Sequence, residues 1–339
     1  MIILADALQT LLDLSPVPLP AAVAPEATPV AALTPAERRL WSAAGRGGRP
    51  LRVEVAAPAP LAFWSHAVLV GEAERSQYDA LRGLGDLVGD LGGGVACLAG
   101  HGRGFHGHRG RTWQAVRGNL HLSAACAPGL DARACGLALT ALPAVATIES
   151  LLAVARWRER PALKWVNDVI ASGRKVAGVL TATQSARGRV TALVVGVGLN
   201  VARAPAVPPG LFVPAVGALP ELVQPPAPPL PQCLAALLER LAGWIRRTGV
   251  DGPAPLLDAY RRHSLVVGRE VLVWEEGLPE DATREALPEP VRRGRVIGID
   301  DDLALRLEGQ AEPVRRGRLV LVATGERDAA GPAPDESHA

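Results

Sequence analysis

Apolar positions recur along this chain with periods that change several times, and the order of those changes predicts its elements. Val95 to Ala99 is a short apolar run and Gly118-Asn119-Leu120-His121-Leu122-Ser123 alternates, so both read as strands. Leu142, Val145, Ile148, Leu151 and Leu152 recur at helical spacing through Arg156, which predicts a helix packed on that sheet. Leu163 to Ala171, Lys175 to Thr183 and Val190 to Val201 are strand-like, and the breaks at Ser172-Gly173 and Ala186-Arg187-Gly188 make them an antiparallel meander. A Pro-rich stretch from Ala204 to Pro231 follows. Leu234, Leu237, Leu238, Leu241, Trp244 and Ile245 then fall on one side of a helix, and a second runs from Ala254 to His263. Beyond Val266 come four short strands, Glu270 to Trp274, Gly294 to Ile299, Leu303 to Leu307 and Arg318 to Val322, whose spacing suggests a small barrel.

Ahead of this pattern, Ala5 to Leu14 reads as one short amphipathic helix and Ser15 to Leu33 as a Pro/Ala-rich linker. Thr34-Pro35-Ala36-Glu37 is a capping box that opens another short helix, with no helix-turn-helix around it. The expected organisation is therefore an N-terminal extension over residues 1–50 that is not a DNA-binding domain, a main domain over 51–263, a barrel over 264–325 and a disordered tail over 326–339. The expected fold class is α+β, a mixed or antiparallel sheet packed on helices.

Composition narrows the function. Across 339 residues, 36 Lys and Arg nearly balance 34 Asp and Glu, so net charge calls for neither nucleic acid nor a membrane surface. No run reaches the roughly 18 apolar residues of a membrane span, and the apolar start lacks a basic leader, so the expected location is the cytoplasm. Cys97, Cys126, Cys135 and Cys233 form no Cys-x-x-Cys pair and read as reduced, buried thiols, and no metal site is expected. The basic residues are almost all Arg. Lys164 and Lys175 are the two lysines of the chain, and they stand close together.

Three constellations carry candidate chemistry. The loop Gly100 to Trp113 combines glycines, which let backbone N–H groups approach phosphates, with Arg side chains, which can grip them by two bonds, and a Trp that can cover a base. Taken alone it reads equally well as a solvated basic turn. Lys164-Trp165-Val166-Asn167-Asp168 is followed by Lys175-Val176-Ala177-Gly178-Val179-Leu180; read as one strand, the first segment puts Lys164, Val166 and Asp168 on one face, and the turn returns Lys175 towards Asp168. A Lys and carboxylate pair across a sheet is usually an ordinary surface pair. Here Arg would have served for that, whereas Lys is a slender point charge that can approach a single oxygen. The third, Val195-Gly196-Val197-Gly198-Leu199-Asn200-Val201, ends an apolar strand with a polar Asn; a strand bend is its plain reading.

In this order the three motifs resemble the biotin protein ligase family, whose pattern is Gly-Arg-Gly-Arg-Arg-Gly-Arg-x-Trp, Lys-Trp-Pro-Asn-Asp, Lys-x-x-Gly-Ile-Leu and Gly-x-Gly-x-Asn. Tyr260 to Gly268 and Arg295 to Asp300 also look like that family's carboxyl-terminal domain. The resemblance implies a class II synthetase-like catalytic domain with a small SH3-like β-barrel. It also implies ATP, with Mg²⁺, and biotin as substrates, activation of biotin as biotinyl-5'-AMP, and transfer to a lysine of a biotin carboxyl carrier domain. A homodimer is a further expectation. By the same resemblance Lys175, Asp168 and Lys164 are catalytic; Arg109, Gly110, Arg111, Trp113, Asn167 and Asn200 bind ATP or the adenylate; and Ser76, Gln77, His106, Gly107, His108 and Gly178 bind biotin or another acyl acid.

The chain departs from the pattern in its acid-binding half. Phe105 stands at the first family Gly, His106 and His108 at two family Arg, Gly102 at a frequent Gln, Val166 at Pro and Ala182 at a frequent Glu. With His, charge becomes pH-dependent and the two-pronged grip is lost. Two alternatives stay open: a ligase or transferase for lipoate or another acid on the same fold, and a catalytically weak biotin or nucleotide sensor.

Overall fold

The computed structural model describes residues 1–19, 27–45, 48–213, 215–278 and 287–322. Its strands are β1 (Ile2–Ala5), β2 (Leu51–Glu54), β3 (Trp64–Ala73), β4 (Gly94–Gly102), β5 (Leu120–Cys126), β6 (Ala162–Lys164), β7 (Asp168–Ala171), β8 (Arg174–Ala186) and β9 (Arg189–Leu199), followed by β10 (Glu270–Trp274), β11 (Arg292–Ile299), β12 (Leu305–Leu307) and β13 (Arg318–Leu321). The helices are α1 (Leu8–Leu14), α2 (Pro35–Ala43), α3 (Gln77–Arg82), α4 (Gly85–Asp90), α5 (Ala132–Cys135), α6 (Ala138–Val154), α7 (Leu219–Leu222), α8 (Leu230–Asp251) and α9 (Ala254–Arg262).

The first nine strands form one mixed sheet in the order β2-β1-β3-β4-β5-β9-β8-β7-β6. β1, β3 and β4 run parallel to one another and the remaining pairs are antiparallel. Alternation along the central strands sorts side chains between two cores. Leu120, Leu122 and Ala124 of β5 and Val195, Val197 and Leu199 of β9 pack with α6, α8 and α9. Ala125 and Val194 face the other way, with Tyr78, Leu81, Leu87 and Val88 of α3 and α4. α6 lies between the sheet and the outer helices, so its residues are apolar nearly all round; Leu142, Val145, Ile148 and Leu151 are each at most 1% exposed.

Residues 1–50 do not stand apart as an extension. Ile2–Ala5 forms β1 inside the sheet, between β2 and β3, and the Met1 amine donates to the Val55 carbonyl at 2.8 Å. The capping box is present, with Thr34 Oγ1 accepting from Glu37 N and Glu37 Oε2 from Thr34 N. A second difference lies at the centre of the candidate chemistry. Leu163 to Ala171 is not one strand but the hairpin β6–β7, so Lys164 and Asp168 are cross-strand partners around a reversal at Trp165 to Asn167, and Val166 is not aligned between them. The Ser172-Gly173 and Arg187-Gly188 turns are as expected, both residues of each having positive φ.

The C-terminal strands make a four-stranded antiparallel sheet, β12-β11-β10-β13, and among the described residues it is open, not a closed barrel. The expected tail, 326–339, lies outside the described residues. All four cysteines are free and buried, and among the described residues no helix is long and apolar enough to cross a membrane.

Candidate active site

The site lies on the α3 and α4 face of the sheet, where β9 and β8 carry glycines in register with a histidine of β5. His121, Gly198 and Gly178 form one row across these strands. The Trp113 indole lies on that row: a Cβ added to Gly198 would stand 2.9 Å from its Nε1, and one on Gly178 3.5 Å from Cζ3. The Gly-x-Gly pattern is therefore a seat for an aromatic ring. Trp113 Nε1 donates to Nδ1 of the buried His121 at 3.4 Å, and His121 Nε2 donates to the Val116 carbonyl at 3.1 Å. Burial pulls the His121 pKa down to about 4, so the ring is neutral and can accept through Nδ1.

The glycine and arginine loop closes on itself above this floor, with Trp113 N donating to Phe105 O and Gly107 N to Arg111 O. Two departures from the family pattern compensate each other. Phe105 is buried where the pattern has Gly, and it occupies space left by Gly102, whose added Cβ would lie 2.5 Å from Phe105 Cε2. His106 Nε2 meets Asp79 Oδ2 at 2.6 Å, and this bond raises the His106 pKa. His108 shifts the other way, lowered first by burial and then by Arg111 and Arg109.

Lys175 Nζ reaches Asp168 Oδ1 at 2.7 Å and stands 5.9 Å from the Trp113 ring centre. Lys164 donates to the Phe212 carbonyl at 2.5 Å. Its pKa falls to about 8, principally through burial, with Asp168 opposing the shift and Lys175 adding to it. The three side chains make a compact cluster of two amines and one carboxylate. Arg318, from the C-terminal sheet, stacks 3.8 Å over the Phe212 ring and lines the same cavity as Lys175.

That cavity has a volume of about 570 Å³. Of the residues expected from sequence, Ser76, His106, Gly107, His108 and Arg111 line it, as do Trp113, Asn167, Lys175, Gly178 and Asn200. Lys164 and Asp168 line an adjoining cavity of about 360 Å³, which shares Lys175 with the first. Gln77, Arg109 and Gly110 lie outside the main cavity; Gln77 is buried, and Arg109, in the left-handed conformation, pairs with Glu276 beyond β10. Asn200 donates to Gly217 O and accepts from Asn119, which in turn accepts from Ala202 N and Arg203 N, so the two amides hold both ends of the Pro-rich segment that lines the cavity. Asn167 is tied to Val179 O. Sequence reading missed Tyr78, His121 and Ser123 as lining residues. The polar positions of β5 were the available signal for the last two.

Residues 90–200 match the model of the biotin/lipoate A/B protein ligase family. The Aquifex aeolicus biotin protein ligase solved with biotin and ATP superposes with a TM-score of 0.54 at 20% identity, over 76% of this chain and 97% of that one, which establishes the shared fold. The bifunctional ligase/repressor BirA of Escherichia coli is 34% identical over 120 residues, 34% of this chain and 36% of that protein. The biotin--[acetyl-CoA-carboxylase] ligase of Paracoccus denitrificans is 31% identical over 230 residues, 66% of this chain and 88% of that protein. Nearly the whole of that relative is spanned, and the chain belongs to the biotin protein ligase family.

Proposed function

We propose that this chain activates biotin with ATP as biotinyl-5'-AMP and transfers the biotinyl group to a lysine of a biotin carboxyl carrier domain of a carboxylase. The observation that carries this reading is Lys175, held between Asp168 and the Trp113 seat on the floor of the main cavity. In the first step a carboxylate oxygen of biotin attacks the α-phosphorus and pyrophosphate leaves. Two anions must meet, and Lys175, assisted by Arg111, supplies positive charge at the reacting oxygens. Mg²⁺ enters with the triphosphate as part of the substrate. Asn167, Asn200 and Trp113 hold the nucleotide, with Gly107 and Gly178 allowing close approach, and the Pro-rich segment excludes water from the anhydride. In the second step the acceptor amine attacks the acyl carbon, AMP leaves, and Asp168, on the side of the adjoining cavity, accepts the amine's proton. Lys164 steadies Asp168.

In the same proposal β1 and residues 51–263 together provide the catalytic domain, and the C-terminal sheet, within 264–325, is its SH3-like module. That sheet completes the site through Arg318 and through Trp165 Nε1, which donates to Leu303 O at 2.7 Å. A homodimer belongs to the proposal; nucleic acid and membrane have no part in the reaction. The test is incubation of the full chain with biotin, MgATP and a recombinant carrier domain, followed by mass spectrometry of the carrier. One biotinyl group on one carrier lysine, dependent on ATP, is the expected result; an unmodified carrier refutes the proposal.

A further inference from the structure

The reversal between β6 and β7 separates Lys164 from Asp168, and its three residues are held from three directions. Trp165 is tied to Leu303 O of the C-terminal sheet. Asn167 is tied to Val179 of β8, its Nδ2 donating to Val179 O at 3.1 Å and its carbonyl accepting from Val179 N at 3.0 Å. Val166, between them, is held by α9: the Tyr260 hydroxyl donates to its carbonyl at 3.0 Å, from 94 residues further along the chain. Tyr260 is 1% exposed, in the core shared with α6 and α8. Burial, and after it the Asp168 charge, push its hydroxyl far above the ordinary tyrosine range, so it stays a donor.

The chain grips the hairpin a second time as it leaves α9. His263 O accepts from Leu163 N at 2.7 Å, and Leu265 N donates to Leu163 O at 2.8 Å. The hairpin is therefore held at Leu163 and at Val166, on either side of Lys164. The end of α9 is itself anchored, because His263 Nε2 lies 3.8 Å from Glu149 of α6, which accepts from Trp244 Nε1 of α8 at 2.9 Å. Lys175 is positioned separately: its N donates to Ala215 O and its carbonyl accepts from Gly217 N. A Pro at the third position of the Lys164 to Asp168 motif would restrain φ of the reversal from within. Val166 stands there, so the restraint comes from outside.

We propose that Tyr260 is a positioning residue for the transfer step: its bond to Val166 sets where Lys164 and Asp168 stand when the acceptor amine arrives. The inference rests on the ligase reading and extends it to a residue that lines neither cavity.

The test compares two steps in the full chain, as wild type, Tyr260→Phe and Tyr260→Phe/Val166→Pro. One is biotin-dependent ATP-pyrophosphate exchange, and the other is single-turnover transfer from preformed biotinyl-5'-AMP to a recombinant carrier domain. A misplacement of about 1 Å costs on the order of 100-fold in rate, so partial release of the reversal in Tyr260→Phe is expected to slow transfer about tenfold and to leave exchange within about twofold of wild type. The double variant, with the reversal restrained from within, is expected to regain most of the lost transfer rate. Transfer at the wild-type rate in Tyr260→Phe, equal loss of both steps, failure of that variant to fold, or a double variant no faster than Tyr260→Phe refutes this inference alone. Wild type that leaves the carrier unmodified refutes it together with the ligase reading.

Discussion

Gly198→Ala tests whether the Gly-x-Gly pattern is a seat for Trp113. The added methyl would stand 2.9 Å from Trp113 Nε1 and closer still to the ring carbons Cε2 and Cζ2. Ordinary contact between heavy atoms needs about 3.5–4.0 Å, so the indole has to rise by on the order of 1 Å. Gly198 cannot retreat, because β9 is hydrogen-bonded to β5 and β8 on its two sides. Trp113 is only half-buried and can swing outwards, so the cost to folding is about 1 kcal/mol or less, a shift in Tm of about 2–4 °C at most. The site is more sensitive. A displacement of about 1 Å in a positioning group costs on the order of 100-fold in rate. The assay is biotin-dependent ATP-pyrophosphate exchange beside a thermal melt, with Gly178→Ala as the milder comparison, since its methyl would lie 3.5 Å from Trp113 Cζ3 and 3.2 Å from Lys175 Cε. A Gly198→Ala protein with wild-type kcat and KM would falsify the seat.

Further outcomes follow from the same geometry. Lys175→Ala is expected to reduce exchange by about 100-fold or more, and Lys175→Arg not to restore it, because a broad fork replaces a point charge wedged between Asp168 and Trp113; recovery in the Arg variant would contradict this. Lys164 loses its charge in the folded protein as pH rises through about 8, below the ordinary lysine range. Exchange should therefore fall across that interval, and Lys164→Arg, charged throughout, should move the fall to higher pH; an unmoved profile removes Lys164 from the reacting charge balance. The stability effect has the opposite sign: the penalty of burying a charged Lys164 is present below about pH 8 and relieved above it, so this group does not destabilise the fold as pH rises. His108 is biased towards its neutral form by burial and by Arg111 and Arg109, so His108→Arg should slow release of the adenylate about tenfold in a filter assay; equal release rates would show that the position does not hold it.

Much of the scaffold was legible because its signals are local. The helices around Leu142 and Leu234 announce themselves by spacing, and the Ser172-Gly173 and Arg187-Gly188 turns by their glycines, Gly173 and Gly188, which tolerate positive φ. β1 was not, because Ile2 to Ala5 is a buried four-residue strand running straight into a helix, a pattern whose period is too short to separate the two. The β6–β7 reversal hides among Trp165, Val166 and Asn167, which carry neither Gly nor Pro. Site residues close in sequence were found together, Lys175 with Asp168 being the clearest case. Their partners from afar were not: Glu276 draws Arg109 out of the cavity, Arg318 arrives from the C-terminal sheet, and Asp79 takes up His106. Such pairings depend on side-chain direction in the fold, which periodicity does not encode.

The central claim is that this site forms an acyl adenylate at Lys175, and ATP-pyrophosphate exchange by the full chain measures that step without an acceptor protein. Exchange that requires biotin and MgATP together, and that falls by about 100-fold or more in Lys175→Ala, is the predicted result. Exchange that proceeds without biotin, or that survives the loss of Lys175, would contradict it.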